Sequence, residues 1–314
     1  MTLLLLDDEV EQLADIGAAI SAVEEALRER ARGAAASGER VTVATGGEGV
    51  IVSPGAFPGL GSFGLRAYPL RAAGRIDVVL VWATEPPSLE AVLLGSAFGP
   101  LRVGAIGGVA MRLLARPDSS VLAVIGAGPQ ARMQAHAACA VLPIETVRLY
   151  RRDTRARAEA AHLWEREVGV PVVAAETVDE AVAGADVVVT ATISESPVLD
   201  AHRLEPHALV SVLGPTGATS SEVGLDLFER AALVVSDFPE HYRHEDFLLH
   251  ETVHEARILD LARVLVERPE LPEGIAVFLS NGLTGTEVPV ARELAGRAAA
   301  RGLGLELGVR AARD

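Results

Sequence analysis

Lysine is absent from this sequence, so all 28 basic residues are arginine. No lysine ammonium can therefore act in this chain as an acid, a base or a Schiff-base partner. Acidic residues outnumber the basic ones, and 43 carboxylates give a formal net charge of −15. Because a nucleic-acid partner requires basic patches that neutralise phosphates, we expect no nucleic acid among the ligands.

Cysteine is nearly absent as well. The single Cys139 excludes an internal disulfide and is typical of a reducing compartment. No apolar run approaches the length of a membrane span, and the Leu3–Leu6 run is too short for a signal peptide and is followed by acids. We therefore expect a soluble, cytoplasmic protein with no membrane partner.

The first third of the chain predicts a mainly antiparallel α+β module. A helical pattern covers Glu9 to Arg32, and a second helix is expected from Arg102 to Ala115. Between these helices lie short β-like runs that glycine and proline turns separate. The runs are Arg40–Ala44, Val50–Ser53, Gly64–Pro69 and Arg75–Trp82.

From Ser120 onwards strands and helices alternate, which predicts a doubly wound parallel sheet. We expect a helical region from Tyr242 to Glu267, and a final helix from Pro289 to Arg301 that packs back on the first module. The fold class is thus α/β, with a Rossmann-type domain in residues 117–288 and an α+β domain in residues 1–116 with 289–314. The predicted strands are Val121–Ile125, Val147–Tyr150, Val172–Ala174, Asp186–Thr190, Leu209–Leu213 and Leu233–Ser236, with a further apolar run at Ile275–Leu279.

A glycine-rich turn after the first of these strands predicts a dinucleotide site. Gly126 permits the tight turn, Gly128 lets the backbone approach a pyrophosphate, and Ala131 supplies the third small position, where strand and helix pack closely. The phosphates would lie at the N-terminus of the next helix, where unpaired N–H groups and the helix dipole favour anions. The residues predicted to bind there are Gly126, Gly128, Pro129, Gln130 and Ala131.

The end of the second strand bears on the choice of cofactor. NAD-specific units usually place an acid there, whereas this chain has Arg151 and Arg152, with Asp153 arriving late. Guanidinium groups bind a 2′-phosphate well, so NADP(H) is favoured over NAD(H). Two solvated arginines in a loop are the alternative interpretation. Thr192 is expected to line the cofactor crevice at the end of another strand.

Two other motifs match known patterns less well. Gly59-Leu-Gly61-Ser-Phe-Gly64 fits G-x-G-x-x-G, but a β-like run follows it where a helix is required, so we interpret it as a loop. His250-Glu-Thr-Val-His254 matches the zinc motif H-E-x-x-H inside a predicted helix. No downstream motif supplies a further ligand, so we expect no metal and interpret the motif as a polar helix face, with a zinc hydrolase as the alternative.

The ordered set of motifs resembles the ornithine cyclodeaminase/μ-crystallin family. The similar segments are Leu122–Ala131 with its G-A-G-x-Q-A turn, Leu101–Ala105, Asp186–Thr192 followed by Pro197, and Phe278–Gly282 with Glu287 beyond it. The resemblance implies a homodimer whose N-terminal module binds substrate and builds the dimer. It also implies a nicotinamide-dependent reaction at an amino- or imino-acid carbon.

The resemblance also assigns roles to residues outside the glycine turn. Family members hold the substrate carboxylate with an arginine pair, which Arg40 and Arg102 match, and they place a lysine and an aspartate beside the reacting nitrogen. Arg66 stands at the lysine position here, and Thr216 stands at the aspartate position. Glu222 lies at the spacing of the family's downstream glutamate.

These two replacements favour imine reduction over cyclodeamination. An arginine does not release its proton usefully and a threonine is no base, whereas hydride transfer to a preformed imine requires only an oriented substrate and one proton. We therefore predict an NADPH-dependent reductase of a C=N bond in an amino-acid-like substrate. The alternatives are an amino-acid dehydrogenase or cyclodeaminase of the same family, or a non-catalytic NADPH-binding protein. The predicted catalytic residues are Arg66, Arg102 and Thr216, and the predicted substrate-binding residues are Arg40, Arg66 and Arg102.

Overall fold

Helices and strands alternate along the chain in a computed structural model that describes residues 2–37, 40–71, 76–243, 247 and 258–308. The elements, in chain order, are β1 (Thr2–Leu5), α1 (Asp7–Leu13), α2 (Ile16–Ala31), β2 (Ala36–Ser37), β3 (Val41–Thr45), β4 (Glu48–Phe57), β5 (Ser62–Pro69), β6 (Asp77–Ala83), β7 (Ser88–Gly95), α3 (Phe98–Leu114), β8 (Val121–Ile125), α4 (Pro129–Val141), β9 (Thr146–Tyr150), α5 (Thr154–Val168), β10 (Val172–Ala174), α6 (Val178–Val182), β11 (Val187–Thr190), β12 (Leu209–Val212), α7 (Leu225–Arg230), β13 (Ala231–Ser236), β14 (Ile258–Asp260), α8 (Leu261–Glu267), β15 (Ile275–Leu279), α9 (Glu287–Arg301) and β16 (Leu305–Leu307).

The chain divides into two compact units, Met1–Arg102 with Leu283–Asp314, and Val103–Gly282. The first division falls inside α3, whereas the sequence placed the boundaries after residues 116 and 288. The roles expected of the two domains, substrate binding with dimerisation and dinucleotide binding, stay predictions. None of the described helices is both long enough and apolar enough to cross a membrane.

The first unit is built on a mixed sheet with the strand order β16-β1-β7-β6-β5-β4, in which β2 and β3 also pair with β4. Its hairpins are antiparallel, and the β1–β7 pair is parallel. Helix α9 packs on β5, β6 and α2, because one face carries apolar side chains. Strands β1, β7 and β16 were not predicted from the sequence.

The long helix predicted from Glu9 to Arg32 is wrong, because two helices occupy this stretch. Helix α1 ends at Leu13, and Asp15 adopts an extended backbone. The Asp15 carboxylate accepts a hydrogen bond from the backbone N–H of Ala18 at 3.0 Å and so caps the start of α2. An N-cap of this kind ends one helix and begins another.

The second unit confirms the predicted doubly wound fold. Its sheet has the order β10-β9-β8-β11-β12-β15-β13-β14, and every pair is parallel. Strands β11, β12 and β15 are buried along their whole length, as expected when helices cover both faces of a parallel sheet. The strand order reverses between β8 and β11, which marks the topological switch point.

The helical region predicted from Tyr242 to Glu267 is confirmed at Leu261–Glu267 and is wrong at Ile258–Asp260, which form a strand. Tyr242 lies in a 3₁₀ turn, Pro239–Arg243, and β14 pairs in parallel with β13. Among the described residues between 244 and 267, α8 alone is an α-helix, and the Asp260 carboxylate caps it by accepting from the N–H of Ala262 at 2.7 Å. The Gly59–Gly64 motif is not followed by a helix, as expected: a 3₁₀ turn at Pro58–Leu60 leads into β5, which begins inside the motif at Ser62.

Candidate functional site

Gly126 is required by the fold of the turn after β8. Its φ is +119°, and a Cβ on it would lie 2.4 Å from the carbonyl oxygen of Ala191. Its N–H donates to the carbonyl of Tyr150 at 2.9 Å and so ties the ends of β8 and β9 together. A side chain at this position would therefore break the turn itself.

Gly128, unlike Gly126, is not required by the backbone conformation of the turn. Its backbone, at φ −80° and ψ 175°, suits any residue, and a Cβ on it would meet no atom within 4 Å. Gly128 is the N-cap of α4, where no side chain caps the helix and Pro129 has no N–H to offer. The missing side chain therefore leaves space at a helix N-terminus whose N–H groups are available to an anion.

The other two predicted residues of the turn lie in the first turn of α4. Ala131 is fully buried, as expected for the small residue where helix and strand pack closely. The Oε1 atom of Gln130 is buried, and no hydrogen-bond partner for it exists in the described part of the chain. An amide oxygen only accepts hydrogen bonds and does not bind a phosphate, so the fit of a dinucleotide pyrophosphate at this helix end rests on the space at Gly128 and the N–H groups of α4.

A cavity of about 620 Å³ opens beside this turn. It lies at the carboxyl ends of β8, β9 and β11, the place where nucleotides bind in open parallel sheets. The structure therefore brings together the predicted turn glycines, both arginines of the β9–α5 loop and Thr192. The lining residues are Ile125, Gly126, Ala127, Gly128, Tyr150, Arg151, Arg152, Asp153, Val178, Ala191, Thr192, Ile193, Ser194 and Val198.

The arginines at the end of β9 are exposed in this cavity. Across the described ranges, neither the Arg151 nor the Arg152 side chain has a hydrogen-bond or ion-pair partner. Asp153 is engaged differently, since its carboxylate accepts from the N–H of Ala156 at 2.9 Å and caps α5. The acid is thus used as a helix cap, and the two guanidinium groups remain available to a ligand.

Glu222, which the resemblance placed at the family's downstream glutamate without assigning it a role, organises the opposite wall of the cavity. Its carboxylate is fully buried and accepts from the hydroxyl of Thr190 at 2.8 Å and from the N–H of Gly214 at 2.6 Å. It also accepts from the N–H and the hydroxyl of Thr192, at 2.8 and 2.7 Å. One carboxylate therefore fixes the ends of β11 and β12. The only sequence signal for it is its spacing from the glycine-containing loop at 214–217.

Arg66 and Arg102 meet in a buried cluster of charged residues in the first unit, which also contains Asp77 and Glu287. The two arginines are 6% and 2% exposed. Arg102 Nη2 donates to Glu287 Oε1 at 2.6 Å, and Arg66 Nη1 lies 3.7 Å from the same oxygen. Arg66 also donates to Asp77, from Nε at 3.0 Å and from Nη2. Asp77 is a member of this cluster that sequence reasoning missed.

Arg40 and Thr216 lie outside this cluster. Arg40 is exposed, immediately before β3. Thr216 belongs to the second unit, where it is 8% exposed and pairs with Ser221 in an isolated antiparallel bridge. Tyr242 donates to Asn281 Oδ1 at 3.2 Å, and burial, then the charge of Asp237, raises the pKa of the phenol.

The H-E-x-x-H motif at residues 250–254 lies outside the described residues. Within those that are described, no group of three or more histidine, cysteine, aspartate or glutamate side chains could hold a metal ion.

The glycine turn, the strand order and the cavity define a Rossmann-type dinucleotide-binding protein. A family model described as "Ornithine cyclodeaminase/mu-crystallin family" matches residues 1–301. The chain belongs to this family, as the order of its motifs predicted.

Three similar proteins illustrate the range of the family. Alanine dehydrogenase of Archaeoglobus fulgidus is 28% identical over 323 residues, covering 98% of each protein. A Delta(1)-pyrroline-2-carboxylate reductase of Bacillus cereus is 32% identical over 224 residues, covering 68% of each. A solved structure described as an archaeal alanine dehydrogenase dimer with bound NAD is 27% identical, with a TM-score of 0.84 and 98% of both chains covered. The predicted enzyme class, an oxidoreductase acting on C–N groups, is confirmed by these relatives.

Proposed function

We propose that this protein is an NADPH-dependent reductase of a C=N bond in an amino-acid-like substrate. The observation that carries the proposal is the cavity at the switch point. Gly128 leaves room there at a helix N-terminus, and Arg151 and Arg152 present two guanidinium groups without partners in the described part of the chain. A nicotinamide cofactor with a 2′-phosphate matches both features.

Residues of the second unit would hold the cofactor. The α4 N-terminus would bind the pyrophosphate, Arg151 and Arg152 would bind the 2′-phosphate, and Thr192 would form the wall fixed by Glu222. Bound NADPH supplies the hydride for the reaction. The hydride goes to the imine carbon and a proton goes to the nitrogen, so that a C=N bond becomes a CH–NH bond.

The substrate would be anchored through its carboxylate by Arg102, with Arg66 beside it. Guanidinium groups suit carboxylates, and the cluster with Glu287 fixes the orientation of both. The lysine and the aspartate of the family pattern are Arg66 and Thr216 here, which favours reduction of a preformed imine over cyclodeamination. The reductase of Bacillus cereus, with Delta(1)-pyrroline-2-carboxylate in its name, supports a cyclic imino acid.

Assays on the purified protein test the proposal directly. We expect NADPH oxidation with cyclic imines such as pyrroline-2-carboxylate, and no ammonia release from ornithine with NAD⁺. Pyruvate with ammonia tests the second candidate, an alanine dehydrogenase, which the relative in Archaeoglobus fulgidus supports. Ammonia release from ornithine at an ordinary enzymatic rate would refute the argument from Arg66 and Thr216. NADPH binding without turnover of any substrate would favour the non-catalytic alternative.

A homodimer in the cytoplasm belongs to the same proposal. In the described part of the chain, β3 pairs only with β4, and its Val41 and Val43 are 52% and 62% exposed. An edge strand with exposed valines requires cover, and a symmetry mate supplies it. The archaeal relative described as a dimer supports this assembly. Light scattering at micromolar concentration should give twice the chain mass, and a monomer would contradict it.

A further inference from the structure

Arg157 lies behind the candidate cofactor cavity and has no role in the function proposed above. It stands on α5 and is 7% exposed. Its Nη1 atom donates to the carbonyl of Arg151 at 3.1 Å and approaches the carbonyl of Glu176 at 3.5 Å. Its guanidinium carbon lies 5.8 Å from the centroid of the Tyr150 ring.

These contacts connect two walls of the cavity. Arg151 lies in the loop after β9, and Glu176 lies in the loop after β10, two residues before Val178. Tyr150, Arg151 and Val178 all line the cavity. The carbonyl that Arg157 holds belongs to the backbone from which the side chains of Arg151 and Arg152 extend. Arg157 therefore fixes the starting point of both side chains.

The charge of Arg157 is unusual for its burial. In the described part of the chain it forms no salt bridge, and its Nε atom is buried without a hydrogen-bond partner. The buried Arg66 and Arg102 each have a carboxylate within the first unit. A buried cation without an anion is costly, and an anion bound in the neighbouring cavity would offset part of this cost.

We propose that Arg157 is a positioning residue for recognition of the 2′-phosphate of NADPH. It orients the Arg151–Arg152 backbone and adds positive charge behind the cavity, without touching the cofactor. The inference rests on the proposed function, since it takes the 2′-phosphate to lie at Arg151 and Arg152. It goes beyond that function by assigning cofactor selectivity to a residue on α5.

Three variants separate the two contributions of Arg157. Arg157→Met removes the hydrogen bonds and the charge, Arg157→Gln keeps a hydrogen-bond donor, and Arg157→Lys keeps the charge. The matched control is Arg155→Met, because Arg155 lies on the same helix with its side chain exposed in an ion pair with Glu159. Calorimetric titrations of the full-length protein with NADPH, NADH, 2′,5′-ADP and 5′-AMP would be compared, with thermal unfolding as a check on folding.

We expect Arg157→Met to weaken NADPH and 2′,5′-ADP by about tenfold, the loss expected for about one hydrogen bond or one screened charge contact. The affinities for NADH and 5′-AMP should change by less than about threefold. Arg157→Lys and Arg157→Gln should each keep part of the selectivity for NADPH over NADH that Arg157→Met loses. Arg155→Met should leave the ratio of the two affinities unchanged.

Two other results overturn different claims. Equal losses for NADPH and NADH in the Arg157 variants would show a purely structural role and overturn the inference. A wild-type protein that binds NADH as tightly as NADPH would overturn the proposed cofactor, and the inference with it. If Arg157→Met does not fold, the ratio of the affinities for NADPH and NADH is measured in Arg157→Lys and Arg157→Gln instead. A ratio equal to the wild-type ratio in both variants would contradict the inference.

Discussion

Gly128→Val should abolish NADPH binding while leaving the fold intact. The backbone at this position is extended, which a β-branched residue prefers, and a Cβ would meet no protein atom within 4 Å. The free energy of unfolding should therefore change by no more than about 0.5–1 kcal/mol, and the valine even lowers the entropy of the unfolded chain. The two added methyl groups would instead occupy the approach of the pyrophosphate to α4.

The loss of binding can be estimated from the contacts excluded. Displacing two charge-assisted hydrogen bonds at the helix N-terminus costs about 3–6 kcal/mol, which is a decrease in affinity of more than about a hundredfold. Titration of the intrinsic tryptophan fluorescence with NADPH measures this, and Gly128→Ala should give a smaller loss.

Gly126→Ala is the matched control, because it should show the opposite behaviour. Its φ of +119° and the approach to the Ala191 carbonyl make a side chain strained, so this variant should unfold at a lower temperature. An unchanged NADPH affinity in Gly128→Val would refute the assignment of the pyrophosphate to this turn. If the melting temperature of Gly128→Val fell as much as that of Gly126→Ala, the claim that a side chain at position 128 meets no protein atom would be refuted.

The remaining predictions concern three charged sites. Replacing Arg151 and Arg152 together by Gln should lower the affinity for NADPH by roughly tenfold per guanidinium, or by less where solvent screens the contact. The preference of the wild-type protein for NADPH over NADH should shrink as salt is added, and a preference that does not depend on salt would contradict the contact with the 2′-phosphate. Arg102→Ala should lower kcat/KM by a factor that corresponds to about 2–4 kcal/mol, and it should also destabilise the fold, because buried Glu287 loses its hydrogen-bonded cation and keeps only the more distant Arg66. The double variant Arg102→Met/Glu287→Leu should recover stability in thermal unfolding but not activity, and recovered activity would exclude Arg102 as the anchor. Glu222→Gln should lower the free energy of unfolding by about 1–3 kcal/mol and lower the affinity for NADPH, since an amide cannot accept from all four donors around Glu222. Unchanged stability in denaturant titrations would argue against this role of Glu222.

Local patterns in the sequence predicted the features that depend on neighbouring residues. The glycine turn, the alternation of strands and helices and the arginines after β9 all lie within short windows, and the structure places them around one cavity. The Asp15 cap was also local, and attention to capping residues would have divided the helix correctly.

The partners of buried charges could not be predicted in this way. Arg102 and Glu287 are 185 residues apart, and only the fold brings them into contact. Asp77 and Glu222 have the same difficulty, because a carboxylate in the sequence usually indicates a solvated position. A buried carboxylate becomes recognisable only when the donors around it are known.

The hydrogen bonds of Glu222 and Arg157 divide the cavity into separately supported halves. Glu222 holds the ends of β11 and β12, whereas Arg157 holds the loops after β9 and β10. Substitutions in one half therefore leave the support of the other in place. The β9–α5 loop can therefore be redesigned for another cofactor without removing the hydrogen bonds that hold the wall around Thr192.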